Sequence, residues 1–159
     1  MATVEQDVRI ERGSSEDLGD TMAVMEAAFG RRFGEAWTRS QLAGIMPMSG
    51  VSLMLARAPG RPGTIGFSLF RTVVDESELL LLAVLPDYRR RGVGTQLLED
   101  FLERARNDGV ARVHLEVRDG NPAVAMYRSS GFLPIGRRRN YYHAADGTRF
   151  DAITLSTQL

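Results

Sequence analysis

One carboxylate near the middle of the chain stands where it could accept a proton. Glu116 belongs to a segment, residues 113–118, in which apolar and polar side chains alternate, so a strand there has one apolar face and one ionisable face. On the polar face, Glu116 could take a proton from an amine directly or through water, since an α-amine with an ordinary pKa of about 8 needs only a modest base. From its position alone, an ion pair with a neighbouring arginine explains Glu116 equally well.

One tyrosine could donate a proton. Tyr127 follows Asn121 on a short helix that is predicted to start at Pro122 and to end at Gly131 in a left-handed cap. Its hydroxyl could give a proton to a leaving group. The ordinary alternatives are half-buried packing for the tyrosine and a turn role for an asparagine that precedes proline.

An arginine-rich loop could bind a diphosphate. Residues 83–95 read Ala-Val-Leu-Pro-Asp-Tyr-Arg-Arg-Arg-Gly-Val-Gly-Thr and join a predicted buried strand to a helix. The glycines let main-chain N–H groups turn toward one point, where the start of the helix adds partial positive charge. A solvated turn with a surface charge run is the ordinary alternative. Two other phosphate motifs do not fit, because the dinucleotide fingerprint needs glycine at Leu97 and the P-loop needs a lysine.

The composition removes several kinds of chemistry. All 20 basic residues are arginine, so the chain has neither a Schiff-base lysine nor a P-loop lysine. Cysteine is absent, which excludes disulfides, thiolate nucleophiles and cysteine metal sites. The two histidines, His114 and His143, lie far apart in the sequence and favour neither a zinc site nor a histidine-based triad. We therefore expect no metal.

Length, charge and hydropathy predict one cytoplasmic domain. The 159 residues, 43% hydrophobic, can bury one sizeable core but not two, so we expect a single domain over residues 1–159. The formal net charge of zero gives no general attraction to nucleic acid or to an anionic membrane. Glu5, Asp7 and Arg9 make the amino terminus unlike a secretion signal, and the longest apolar run, Leu79 to Leu85, is too short to span a bilayer.

The predicted elements follow the order strand, two helices, three strands, helix, strand, helix, two strands. Ser14 with Asp17 and Thr38 with Gln41 form capping boxes for the first two helices. Strands at residues 52–57, 64–73 and 78–85 are expected to form an antiparallel meander with turns at 58–63 and 75–77, and a hairpin around residues 146–147 closes the chain. This order predicts an α/β (α+β) fold, a mixed sheet flanked by helices, because such layers bury the apolar faces of both kinds of element.

Two motifs resemble those of the GNAT acetyltransferase superfamily. Its acetyl-CoA loop has the pattern Arg or Gln, two residues, Gly, one residue, Gly or Ala, which Arg89, Gly92 and Gly94 match in place. The second motif of the superfamily is a Leu-Glu-Val strand followed by an asparagine, a tyrosine and a Gly-Phe pair. Residues 115–132 resemble it, with Asn121 and Tyr127 at the matching positions. More narrowly, Arg-Arg-Asn-Tyr-Tyr at 138–142 is similar to a stretch of the bacterial ribosomal-protein alanine N-acetyltransferases, the RimI-like group.

The resemblance implies an acetyl-CoA-dependent N-acetyltransferase with a GNAT-like, mostly antiparallel mixed sheet. In it, Glu116 is the general base and Tyr127 the acid that protonates the departing CoA thiolate. Asn121 and the main chain of residues 82–84 would bind the pantetheine arm. The residues expected to bind the cofactor are Leu82, Ala83, Val84, Arg89, Arg90, Arg91, Gly92, Val93, Gly94, Thr95 and Asn121. Without cysteine there is no acetyl-cysteine intermediate, so direct attack in a ternary complex is expected.

The acceptor is predicted from the resemblance and not from the residues themselves. The resemblance implies the α-amine of a ribosomal protein that begins with alanine, held between the loop joining the first two helices and the last hairpin. Trp37, Tyr141 and Tyr142 are the candidate substrate-binding residues, although Trp37 could equally be a hydrophobic staple. The group often shows Phe-Pro-Trp-Ser before the second helix, whereas residues 33–38 read Phe-Gly-Glu-Ala-Trp-Thr.

Two other functions remain open. A related enzyme could acetylate a small amine such as an amino acid or an antibiotic, and a non-catalytic module could only bind acyl-CoA. The second alternative would not need Glu116 or Tyr127. The basic run at 137–139 could contact RNA, but a solvated strand edge fits the zero net charge better.

Overall fold

A seven-stranded mixed sheet with four α-helices makes up the protein as described from residue 7 to residue 159 of the computed structural model. Glu5, used above for the amino terminus, lies outside these residues. The elements are β1 (Arg9–Arg12), α1 (Leu18–Phe29), α2 (Arg39–Ile45), β2 (Val51–Arg57), β3 (Gly66–Val73), β4 (Glu76–Val84), α3 (Val93–Asn107), β5 (Arg112–Arg118), α4 (Ala123–Ser129), β6 (Leu133–His143) and β7 (Arg149–Gln158). The predicted fold class and element order are confirmed.

Both predicted capping boxes are present. The Ser14 N–H donates to Asp17 Oδ2 at 2.8 Å, and a 3-10 turn then leads into α1. The Thr38 N–H donates to Gln41 Oε1 at 2.8 Å and starts α2 directly. These local hydrogen bonds explain why a 3-10 turn begins after Ser14 and α2 begins after Thr38.

β2, β3 and β4 form the expected antiparallel meander, with one change at its last turn, and β1 adds to it as an antiparallel partner of β2. β4 begins at Glu76, which pairs with Val73, so the turn consists of Val74 and Asp75 and not of residues 75–77. Val74 takes a left-handed φ of 56° there, an unusual conformation for a β-branched residue. The pattern of acidic residues extended the predicted turn two residues too far, because Glu76 and Ser77 already pair with β3.

The sheet changes character between β4 and β5. The strand order is β1-β2-β3-β4-β5-β7-β6, and within residues 7–159 β4 and β5 are the only parallel pair. Their pairing ends at Leu79 and Leu115, although β4 continues to Val84 and β5 to Arg118. At the same point β4 has a bulge, since Leu79 pairs with Phe70 and Leu81 with Leu69, which leaves Leu80 as an extra residue. A bulge bends its strand, so β4 and β5 splay apart beyond it.

Apolar side chains fill the space on both faces of the sheet. Leu53 and Leu55 of β2 pack with α1 and α2, whereas Met54 between them packs with α3 on the other face. This alternation follows from the two-residue period of a strand. Within residues 7–159, no helix combines the length and the apolar character needed to cross a membrane.

Candidate active site

A cleft of about 750 Å³ opens where β4 and β5 diverge. Its floor consists of the splayed strands, and its walls come from α1, the β4–α3 loop, α4 and β6. Predicted site residues that line it are Leu82, Ala83, Val84, Arg89, Arg90, Gly92, Gly94, Thr95, Glu116, Asn121, Tyr127 and Tyr142. The remaining four predicted residues, Trp37, Arg91, Val93 and Tyr141, do not line it.

The glycines of the β4–α3 loop have two different roles. Gly92 takes a left-handed conformation (φ 81°, ψ 2°) at the N-cap of α3, which glycine adopts without a steric cost. Gly94 lies against the floor of the cleft, where an added β-carbon would be 3.3 Å from Met126 Sδ. The first N–H groups of an α-helix have no carbonyl partner within the helix, and no described side chain caps this end of α3. The cleft therefore ends at donors suited to an anion.

The arginines of this loop point in different directions. Arg89 donates from a terminal nitrogen to the carbonyl oxygen of Ala28 at 2.6 Å, which ties the loop to the end of α1. Arg90 lines the cleft with a left-handed φ of 61°. Arg91 lies over the Tyr88 ring at 5.3 Å, and the Val93 side chain is buried in the apolar core. Contacts of Arg91 and Val93 with a cofactor stay predictions, and any contact by Val93 would have to use its main chain.

Glu116 faces the cleft and forms an ion pair. Its Oε1 lies 2.6 Å from Arg138 Nε on the edge strand β6, and the exposed fractions of the two side chains are 15% and 62%. The arginine partner considered from sequence is thus present and the carboxylate also lines the cleft, while its role as a proton acceptor stays a prediction. Because Arg138 is mostly in water, it can leave Glu116 at small cost.

Tyr127 lies at the base of the cleft with its ring buried. The ring packs edge-on against Phe132, with centroids 5.9 Å apart. Burial raises the pKa of the Tyr127 hydroxyl, and the negative charge of Glu35 raises it further. The phenol therefore stays protonated throughout the neutral pH range.

A bulge in β6 places two tyrosines beside the Glu116 end of the cleft. Arg138 pairs with Ala152 and Tyr142 with Phe150, so residues 139–141 stand opposite Asp151 alone. Asp151 Oδ1 accepts the Asn140 N–H at 2.9 Å, which holds the bulge in place. The Tyr142 hydroxyl lies 3.5 Å from the Glu116 carbonyl oxygen inside the cleft.

Tyr141 and Tyr142 differ in their surroundings. Tyr141 is exposed and packs edge-on against Tyr142, with ring centroids 5.0 Å apart. Burial raises the pKa of both phenols; the Glu116 charge adds to the rise at Tyr141, and the Glu35 charge does so at Tyr142. Tyr142 therefore lines the cleft, whereas Tyr141 lies outside it and contacts Tyr142. Contact of either tyrosine with a substrate stays a prediction.

Glu35 is a cleft residue that the sequence analysis did not select. It lies in the loop between α1 and α2, residues 30–38, which we call the α1–α2 loop. Its Oε2 accepts from Asn121 Nδ2 at 2.8 Å, and its Oε1 lies 3.3 Å from Arg118 Nε. The side chains of Glu35 and Arg118 are only 10% and 8% exposed. A signal was present: one carboxylate stands between Phe33 and Trp37 in an otherwise aromatic and small-residue stretch.

Trp37 packs away from the cleft. It is partly buried against the apolar cluster that contains Leu42, the fourth residue of α2, as expected of a hydrophobic staple beside the Thr38 cap.

The side chain of Asn121 has two hydrogen-bond partners. Its oxygen accepts the Ala123 N–H at 2.8 Å at the start of α4. Its amide is thus engaged on both sides, with α4 and with Glu35.

Metal ligands are not grouped in the part of the chain that is described. Among residues 7–159, no three histidine, aspartate or glutamate side chains are close enough to hold a metal ion. His114 lies 3.7 Å from Glu78, outside the cleft.

Comparison with known proteins identifies the family. Residues 22–132 match the family model described as Acetyltransferase (GNAT) family. The [ribosomal protein bS18]-alanine N-acetyltransferase of Escherichia coli K12 is 45% identical over 91 residues, which are 57% of this chain and 61% of that protein. The N-alpha-acetyltransferase RimI of Mycobacterium tuberculosis is 44% identical over 95 residues, 58% of this chain and 56% of that protein. The chain thus aligns with less than two thirds of the length of these relatives.

Solved structures show the same fold over nearly the whole chain. The crystal structure of the ribosomal-protein-S18-alanine N-acetyltransferase from Escherichia coli superposes with a TM-score of 0.85 and 32% identity, covering 95% of this chain and 93% of that one. Arabidopsis thaliana NAA60 in complex with acetyl-CoA has a TM-score of 0.81 at 18% identity, covering 96% and 98% of the two chains. The second likeness is one of fold alone.

Proposed function

The chain belongs to the GNAT acetyltransferase family, and on that premise we propose that it acetylates the α-amine of a protein that begins with alanine. The ribosomal protein bS18 is the first candidate, because relatives over this region are named for that reaction. The observation that carries the proposal is the cleft between β4 and β5, which has the α3 amino terminus at one end and Glu116 with Tyr142 at the other.

The cleft suits acetyl-CoA. The free edge of β4 beyond Leu79 can hydrogen-bond an extended pantetheine arm like an added strand, and the α3 amino terminus with Arg90 can hold the diphosphate. The absence of a side chain at Gly94 leaves the passage beside Met126 open. Bound acetyl-CoA supplies the acetyl group: an N–C bond to the acceptor forms and the C–S bond of the thioester breaks.

Glu116 accepts the proton that the acceptor amine must lose. An amine with a pKa of about 8 is roughly nine-tenths protonated at pH 7, so it arrives as an ammonium ion. This ion replaces the Arg138 guanidinium beside Glu116, since Arg138 is exposed; its other contact is with the Tyr141 ring at 5.5 Å. The carboxylate takes one proton from the ammonium ion, which frees the lone pair that attacks the acetyl carbon; the nitrogen loses its second proton as the tetrahedral intermediate collapses, and this proton ends on the CoA sulfur, directly or through solvent.

Tyr127 donates to the sulfur that leaves. Its raised pKa guarantees that the phenol carries its proton, but it also makes the phenol a weaker acid than an ordinary thiol of pKa about 8.5. Tyr127 therefore acts first as a hydrogen-bond donor that stabilises negative charge on sulfur. Complete transfer of the proton to the thiolate is uphill and needs reprotonation of Tyr127 from solvent.

One feature of the cleft favours a protein amino terminus over a small amine as the acceptor. The cleft opens between the α1–α2 loop and β6, with Tyr142 at its edge and Tyr141 outside it, so an acceptor can extend beyond its first residue. An acetylated ribosomal protein would place the reaction in the cytoplasm. We further propose that residues 1–159 act as one catalytic domain, without nucleic acid, membrane or metal.

An acceptor screen tests the proposal. Purified protein with acetyl-CoA is offered peptides that begin with alanine, the same peptides with a blocked amino terminus, and free amino acids, and thiol release is measured. We expect turnover only with free peptide termini. A preference for free amino acids would establish the small-amine alternative, and CoA binding without turnover on any amine would leave only the acyl-CoA-binding module.

A further inference from the structure

Two carboxylates that line the cleft, Glu116 and Glu35, each pair with an arginine, and the two arginines differ in their exposure to solvent. Glu116 pairs with Arg138, whose side chain is 62% exposed, whereas Glu35 pairs with Arg118, whose side chain is 8% exposed. An exposed partner exchanges easily, but separating a buried pair leaves an uncompensated charge and is strongly unfavourable. Only the Glu116 pair is thus available for exchange with a substrate.

The Glu35 pair connects the α1–α2 loop to the catalytic strand. Arg118 lies two residues after Glu116 on the same face of β5. Its guanidinium lies over the Phe33 ring at 3.5 Å and near the Phe150 ring at 5.7 Å, and Phe33 packs edge-on against Phe150 at 5.2 Å. The loop therefore reaches Arg118 through both the Glu35 carboxylate and the Phe33 ring.

Backbone contacts around Glu35 bring the loop close to the last hairpin. Gly34 has a φ of 72°, and an added β-carbon there would collide with the carbonyl oxygen of His143. Asn121 adds a third connection, because its Nδ2 donates to Glu35 while its side-chain oxygen accepts the Ala123 N–H of α4. Glu35 thus lies where the loop, β5 and the start of α4 meet.

We propose that Glu35 is a positioning residue for the acceptor: by binding Arg118 and Asn121 it fixes the α1–α2 loop at a set distance from Glu116. The inference rests on the proposed function, since it names the residue that holds the α1–α2 loop, the wall of the cleft beside which the acceptor binds. Glu35 itself takes no proton. Its loss displaces the wall, so the acceptor amine is held less well, while the cofactor end at α3 is untouched.

The kinetics of two variants distinguish a Glu35 that positions the acceptor from a Glu35 that only neutralises the charge of Arg118. Glu35→Gln keeps an oxygen for Asn121 but removes the charge opposite Arg118. The double variant Glu35→Met with Arg118→Met removes both buried charges and so protects the fold if the single variant unfolds. We expect a rise of about tenfold in the acceptor KM in each folded variant, since a displacement of about 1 Å is enough for such an effect. Glu35→Gln still offers Asn121 an oxygen, so its affinity for CoA should stay within twofold of the parent.

Fluorescence gives a readout that does not depend on turnover. Trp37 is the one tryptophan of the chain and lies two residues after Glu35, so acrylamide quenching of its emission reports the position of the loop. We expect stronger quenching in both variants than in the parent. Glu76→Gln is the matched control, because Glu76 pairs with Arg112 at 3.0 Å on the surface and lies outside the cleft.

The outcomes are distinct. A folded variant with parental acceptor KM and parental quenching would overturn the inference, as would a double variant that regains both. A loss of CoA affinity in Glu35→Gln would overturn it too, by assigning Glu35 to the cofactor. If the parent protein turned over no amine, the proposed function would fail, and quenching of Trp37 would still decide whether Glu35 holds the loop.

Discussion

Replacing Glu116 by glutamine separates its chemical role from its structural one. The structural cost is small, because the side chain that Glu116 pairs with, Arg138, is 62% exposed. Exposed ion pairs contribute at most about 1 kcal/mol, and glutamine has nearly the same shape as glutamate. We therefore expect Glu116→Gln to fold like the parent and to bind CoA with unchanged affinity.

The chemical cost is large and depends on pH. A positioned general base typically contributes a factor of about 10² to 10⁴, so the variant should be slower by about that factor at pH 6. Without Glu116 only the neutral acceptor reacts, and for a pKa of about 8 its fraction rises from about 1% at pH 6 to about 50% at pH 8. The rate of Glu116→Gln should therefore rise about fiftyfold over this range, while the parent rate changes much less.

Steady-state thiol release between pH 6 and pH 9, with saturating acetyl-CoA and an alanine peptide, measures both slopes. Glu78→Gln is the matched control: Glu78 lies near His114 at 3.7 Å and does not line the cleft, so its rate should follow the parent rate at every pH. Parallel pH profiles for Glu116→Gln and the parent would remove Glu116 from the proton-transfer step. Equal rates would leave it as the partner of Arg138 alone.

Three further changes test the remaining parts of the cleft. Tyr127→Phe should lower kcat at least about tenfold, with CoA affinity and melting temperature little changed; an unchanged kcat would make this ring packing only. Arg138→Met should lower the acceptor KM by up to about fivefold at low salt, since an exposed pair of at most about 1 kcal/mol no longer competes for Glu116, and a raised KM would contradict the exchange. Gly92→Ala should cost about 1–2 kcal/mol in urea denaturation and weaken CoA binding in calorimetry, whereas Gly109→Ala, with a φ of 76° at the other end of α3, should show only the first effect. Equal CoA affinities would argue against the loop as the diphosphate site.

Local features of the fold could be predicted from sequence because they depend on neighbouring residues. The capping boxes at Ser14 and Thr38 each need only a side chain three residues away. The alternation at residues 113–118 predicted the polar face on which Glu116 lies. The turn before β4 was the exception, since pairing of Glu76 with Val73 outweighed its polar character.

Long-range features could not be predicted in this way. Nothing in the chain between Leu79 and Val84 marks where pairing with β5 stops, because this depends on a bulge opposite β3 and on the register of a distant strand. The same holds for Glu35, which became a cleft residue only when Arg118 and Asn121 were brought to it across the loop.

By itself, then, the sequence determined the order of the elements, the glycine loop ahead of α3 and the residue types available for proton transfer. Each of these follows from side-chain chemistry and from spacing within a few residues. The tertiary structure decided that β4 and β5 separate, that Arg138 rather than another arginine reaches Glu116, and that Trp37 packs against the edge of the core. These outcomes depend on strand register and on packing between residues far apart in the chain, which composition and local spacing do not encode.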